Sequence, residues 1–136
     1  MLIKFNFKNF KSFKNENCLD MEAASIKEHE YNTITIKDKK YLKVAAIYGA
    51  NASGKTNVLE AFEFMKEKLM ISDDTNMNSS ELDNYYNFSF DEKTRNEPIA
   101  LEVTFLAENQ KIYQYGFEIK NKVIVSEWLY VKKVNK

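Results

Sequence analysis

Apolar and polar residues alternate through Leu2-Ile3-Lys4-Phe5-Asn6-Phe7, a period of two that predicts a half-buried β-strand. Asn9-Phe10-Lys11-Ser12-Phe13 breaks the alternation and reads as a turn carrying exposed polar groups. A second short strand fits Asn17 to Ala23. Residues 24–40 are polar and rich in Lys and Glu, with one β-prone patch at Thr33-Ile34-Thr35-Ile36, and read as a mobile connection holding an edge strand; Asp38-Lys39-Lys40 reads as a turn. Val44-Ala45-Ala46-Ile47-Tyr48 is a nearly continuous apolar run, which suits a parallel strand covered on both faces. Val58, Leu59, Ala61, Phe62, Met65 and Leu69 then recur at helical spacing, with Glu60, Glu63, Lys66 and Lys68 between them, and predict a helix over 55–70.

Ser72 to Asn84 lacks periodicity and its Asp, Asn and Ser residues signal a loop. Beyond it, Ile99, Leu101, Val103 and Phe105 alternate with Ala100, Glu102 and Thr104. Tyr113, Tyr115, Phe117 and Ile119 alternate with Gln114, Gly116 and Glu118, and Val123 to Val131 is a third β-rich stretch. The connections are short enough for hairpins, so an antiparallel meander with one apolar face is expected. Pro98 precedes its first strand, where the missing N–H costs least.

Between the apolar run and the helix lies Gly49-Ala50-Asn51-Ala52-Ser53-Gly54-Lys55-Thr56, which fits G-x-x-x-x-G-K-[ST], the phosphate-binding loop of nucleoside triphosphatases. Backbone N–H groups that wrap around phosphate oxygens need an inward-curled chain without bulky side chains. Gly49 and Gly54 supply that freedom, and Ala50, Ala52 and Ser53 keep the loop slim. Lys55 offers a compact cation to the β- and γ-phosphates, and Thr56 offers a hydroxyl to Mg²⁺, which takes oxygen ligands. The helix N-terminus adds its dipole. Asn51 is placed to orient a phosphate or water, and Asn57 to add a side-chain hydrogen bond from the first helical turn. The alternative, a strand-to-helix turn that binds nothing, has no need of Lys followed by Thr.

A chain of 136 residues is one domain or part of one. Lys plus Arg number 20 and Asp plus Glu number 20, which disfavours a globally basic nucleic-acid coat. Ten Phe and eight Tyr in this length argue for an aromatic-rich sheet. Cys18 is the single cysteine, so no internal disulfide or cysteine-type zinc site is available, and a buried or half-buried strand position is expected for it. His29, the one histidine, lies in a Lys-Glu-His-Glu setting and reads as a solvated surface residue. No run approaches 18 apolar residues and no signal-peptide pattern opens the chain, so no membrane partner and a cytoplasmic location are expected.

A triphosphatase also needs an apolar strand ending in Asp, often followed by Glu. Phe88-Ser89-Phe90-Asp91-Glu92 is a decoy: Asn87 and Ser89 alternate with Phe88 and Phe90, and the segment runs into a solvated turn. No other hydrophobic run ends in Asp-Glu. The phosphate cradle is thus present without the hydrolytic half, as expected of an N-terminal portion of a longer ATPase.

The chain resembles the start of ABC/SMC-like ATPases, a group that includes OLD-type and abortive-infection ATPases of bacteria. The resemblance rests on Asn9-Phe10-Lys11-Ser12-Phe13 followed by Ile47 to Asn57. Phe88-x-Phe90-Asp91-Glu92, Glu102-Val103-x-Phe105, Tyr113-x-Tyr115-Gly116-Phe117 and Glu127-Trp128-Leu129-Tyr130 are similar to bacterial AAA-type ATP-binding proteins linked to phage defence. The resemblance implies that residues 1–136 form the N-terminal lobe of an α/β, P-loop head with a mixed sheet and a β-meander. It implies ATP and Mg²⁺ as ligands, and hydrolysis in the complete dimeric protein rather than in the lobe alone. It also implies a C-terminal lobe of the same protein, a homodimer through ATP-sandwiched heads, and a nuclease domain or partner with nucleic acid as a possible target. In related heads the Asn-Phe-Lys-Ser turn lies against the phosphates, which adds Lys11 and Ser12 to the site; an exposed turn lysine suits Lys11 equally well. Two other classes stay open: a small-molecule or nucleoside kinase, which needs an acceptor pocket and metal carboxylate within this length, and a degenerate interaction module without nucleotide.

Overall fold

The computed structural model describes residues 1–71, 87–121 and 123–134, with backbone alone at 70 and 71. The expected loop Ser72 to Asn84 and the pair Tyr85-Tyr86 lie outside the described residues. In chain order the elements are β1 (Leu2–Lys8), β2 (Asn17–Asp20), a short 3₁₀ turn (Glu30–Asn32), β3 (Thr33–Ile36), β4 (Lys39–Leu42), α1 (Lys55–Ile71), α2 (Glu92–Arg95), β5 (Ile99–Leu106), β6 (Lys111–Lys120) and β7 (Val123–Lys133).

Five strands form one sheet in the order β2-β1-β5-β6-β7, and every ladder is antiparallel. Alternation dictates its faces. Phe5, Phe7, Ile99, Leu101, Val103, Phe117 and Ile119 point to one side, where Ala61, Phe64 and Met65 of α1 cover them with Phe10. The rings interlock at close range: Phe5 meets Phe62 edge-on at 5.1 Å and Phe7 meets Phe13 at 4.8 Å between centroids. A bulge between Leu2 and Lys4 sends Ile3 into a second, smaller cluster with Ile36 and Tyr41, which seats the β3–β4 hairpin.

The parallel strand expected at Val44–Tyr48 does not form, and the sheet is antiparallel rather than mixed. The segment has no regular secondary structure, with Val44 79% and Tyr48 90% exposed. A strand needs a hydrogen-bonding neighbour, and among the described residues none runs alongside it; the two edges of the sheet belong to β2 and β7. The helix is also turned relative to expectation. Phe64, not counted in the predicted stripe, is buried, whereas Leu59 is 64% exposed and Phe62 and Leu69 are only partly covered at the margin of the sheet. Lys68 is buried with its ammonium 5.2 Å from the Phe64 ring centroid.

Smaller corrections concern single residues. Lys39 and Lys40 belong to β4, and the turn is Lys37-Asp38, with Lys37 at a φ of 59°. Cys18 is exposed on the edge strand β2; its slight burial, with Asp20 nearby, holds the thiol above its ordinary pKa. Asn9 is not an exposed turn residue but fully buried. The reading of Asp91 as a decoy agrees with its place here: its carboxylate accepts from Lys93 N and Thr94 N as the N-cap of α2. A hydrogen bond from Lys14 holds that carboxyl below the usual carboxylate range.

Candidate nucleotide-binding site

The site is assembled where the turn after β1 meets the first turn of α1. Phe10 and Phe13 exchange backbone hydrogen bonds (3.0 and 2.9 Å), closing a tight turn with Lys11 and Ser12 at its tip. Phe10 is buried against Phe64, and Phe13 is half-buried against Phe7, so apolar packing aims the tip at the helix. Ser12 Oγ accepts from Asn57 Nδ2 at 2.8 Å. Lys11 Nζ donates to Glu60 Oε2 at 2.6 Å. Glu60 escaped sequence reasoning, because a helical glutamate between apolar positions gives no sign of a partner 49 residues earlier.

The glycine-rich loop curls as its composition predicts. Ala52 and Gly54 have φ values of 62° and 93°, flanking Ser53, whose N–H bonds Ala50 O at 3.3 Å. Such positive φ values are the kind of backbone from which anion-binding concavities of N–H groups are built. The Lys55 ammonium spans the loop and donates to Gly49 O at 2.9 Å and to Ala50 O at 2.6 Å. Thr56, Asn51 and Ser53 are exposed. Val58 N–H bonds Gly54 O, so α1 starts at Lys55 with the N–H groups of its first turn lacking intrahelical acceptors. Gly49, Asn51, Ala52, Ser53, Gly54, Lys55, Thr56 and Asn57 therefore lie together, with Ser12 against them and Lys11 held to the side by Glu60.

Gly54 is irreplaceable on two counts. Its φ lies where side chains are strained, and an added Cβ would sit 2.7 Å from Ser12 Oγ and 3.2 Å from Phe13 Cζ. Gly54→Ala is expected to push the 9–13 turn off α1 and lower stability by about 2 kcal/mol. Urea unfolding of the two proteins checks this, and equal midpoints would refute the close approach.

A cramped, positively charged loop at a helix N-terminus defines a P-loop nucleotide-binding domain. A protein-family model described as "AAA domain, putative AbiEii toxin, Type IV TA system" matches residues 44–136. The chain belongs to this family and is an AAA-type, P-loop ATPase-like domain. The match begins at the exposed apolar segment and runs through the loop, α1, α2 and the meander. Comparison with curated proteins gives no match. No helix among the described residues is long and apolar enough to cross a membrane.

Proposed function

We propose that this chain binds ATP with Mg²⁺ as the N-terminal lobe of a larger ATPase head. The observation that carries the reading is the Lys55 ammonium held across a loop curled at Ala52 and Gly54, at the N-terminus of a 17-residue helix. The donor set suits a polyphosphate: loop N–H groups and the helix dipole attract anionic oxygen, and Lys55 exchanges its two carbonyl acceptors for stronger charged ones. Thr56 is the residue that would hold Mg²⁺, a Lewis acid that offsets phosphate charge. Gly54 leaves room for the backbone to approach, while Ser12 and Asn57 brace the rim.

The lobe assignment draws on surface that nothing among the described residues covers. Val44, Ile47 and Tyr48 are exposed beside the loop, and Leu59 on the outer side of α1 is exposed as well. A strand at 44–48 buried by a second lobe would satisfy both its backbone and its side chains. In this reading hydrolysis requires the complete protein, as a dimer of heads with ATP between them. Head engagement would control an effector directed at nucleic acid or phage; the toxin–antitoxin wording of the family description agrees with such a role.

Thermal unfolding with and without Mg·ATP tests the site. Saturating nucleotide at a hundred times its dissociation constant is expected to add about 2.7 kcal/mol of stability. Lys55→Ala should remove most of that gain while leaving the ligand-free melting temperature nearly unchanged, since Lys55 bonds only exposed loop carbonyls. A mutant stabilised as much as the parent would show that the loop is not the binding site.

A further inference from the structure

The two edges of the sheet are unlike. β2 is four residues long and its Asp20 is paired with Lys4 at 2.7 Å, a blunt edge. β7 is eleven residues long and exposed along nearly its whole length, with Leu129 63%, Tyr130 62% and Val131 58% exposed. The bulge in its ladder with β6 lies near Ile124–Ser126, so Glu127–Lys133 pairs regularly and presents a straight outer edge.

We infer that β7 is a self-association edge, pairing antiparallel with β7 of a second copy of this chain to join the two sheets into one. The strand is self-complementary. A two-fold axis that relates antiparallel edge strands stands perpendicular to the sheet, so opposing residues must share a face. Glu127, Leu129, Val131 and Lys133 oppose Phe117, Tyr115, Tyr113 and Lys111 on β6 and share their face; Trp128, Tyr130 and Lys132 share the other. Lys133 is the lysine of β7 on the Glu127 face, so one symmetric register sets Glu127 of each copy opposite Lys133 of the other. The same register sets Leu129 opposite Val131, with Tyr130 meeting its own mate on the axis. Charge pairs and apolar pairs form together in that single alignment. Glu127 already accepts from Tyr115 OH through Oε1 at 2.6 Å, which fixes its carboxylate on the face it shares with Tyr115.

Sedimentation velocity over a wide dilution series, on the full chain without nucleotide, provides the test. The parent protein is expected to show a reversible monomer–dimer equilibrium. Glu127→Lys sets Lys against Lys twice in its homodimer, and Lys133→Glu sets Glu against Glu twice; each should weaken dimerisation at least about tenfold. An equimolar mixture of the two variants restores both opposite-charge pairs and should dimerise like the parent. Within one strand Glu127 and Lys133 stand about 20 Å apart, so rescue on mixing requires two copies. A parent that stays monomeric at all concentrations, or variants that fail to rescue each other, would overturn the inference. Because Lys55 has no part in this edge, the result is independent of whether the loop binds nucleotide.

Discussion

Asn9→Ala is expected to lower the free energy of unfolding by about 4 kcal/mol. Asn9 is fully buried at the end of β1 and ties together backbone that is otherwise held by little. Its Nδ2 donates to Thr94 O at 2.7 Å and Glu97 O at 2.9 Å, with Pro98 O at 3.3 Å, and its Oδ1 accepts from Phe88 N–H at 3.0 Å. One planar amide thus bonds carbonyls within and beyond α2 and an amide before it. Alanine removes this partner from each of them, and although Thr94 O keeps the Glu97 N–H, each buried group left unsatisfied costs about 1–3 kcal/mol. It must also adopt a φ of 55°, a conformation that asparagine tolerates and alanine resists by about 1 kcal/mol. Asn9→Gly should therefore be about 1 kcal/mol less damaging than Asn9→Ala, isolating the backbone contribution. Urea unfolding followed by tryptophan fluorescence measures both. A loss under about 1 kcal/mol for the alanine variant would mean that the amide is not satisfying buried groups.

Gly116→Ala should cost about 3 kcal/mol and change the fluorescence of the single tryptophan. An added Cβ would sit 2.4 Å from Trp128 Cζ2 and 2.5 Å from Cε2, far inside contact distance. The indole lies across β6 because Gly116 and Trp128 are directly opposed in the β6–β7 ladder. From there its Nε1 donates to Glu102 Oε2 at 2.8 Å, and Glu102 also accepts from Asn6 at 3.0 Å and Gln114 at 2.8 Å. This row crosses four strands on the face opposite α1. A methyl group at 116 lifts the ring and breaks its bond to the carboxylate, adding an overpacking cost of about 1–3 kcal/mol to the loss of a charge-assisted bond. Emission should shift to the red as the indole meets water. The double variant Gly116→Ala, Trp128→Ala should be no less stable than Trp128→Ala alone, since the clash has no second party. Additive losses would refute the ring-on-glycine packing.

These two residues show where sequence reasoning reaches and where it stops. Gly116 and Trp128 stood out as distinctive strings, Tyr-x-Tyr-Gly-Phe and Glu-Trp-Leu-Tyr, but their partnership is a cross-strand register that appears only after the hairpin forms. Asn9 looked like one more polar residue in a turn, because its acceptors lie 85 to 89 residues away. Phe62 and Phe64 are both compatible with a helical stripe, and only the seating of Phe10, from the turn after β1, against Phe64 buries the latter. Val44–Tyr48 has the composition of a covered strand, yet covering needs neighbours that composition cannot supply.

By itself the amino-acid order determined the phosphate loop, the start of α1 and the three strands of the meander, since each is specified by residues adjacent in the chain. Curl, charge and hydroxyl of the loop all come from eight consecutive positions, and alternation over eight to eleven residues suffices for a strand. Tertiary structure alone decided that the sheet is antiparallel throughout, that Ser12 braces Gly54, that Glu60 holds Lys11, and that β7 is left at an open edge. Those outcomes depend on which distant segments meet, and hydrogen-bond partnership and burial across such distances become definite only when the chain has closed on itself.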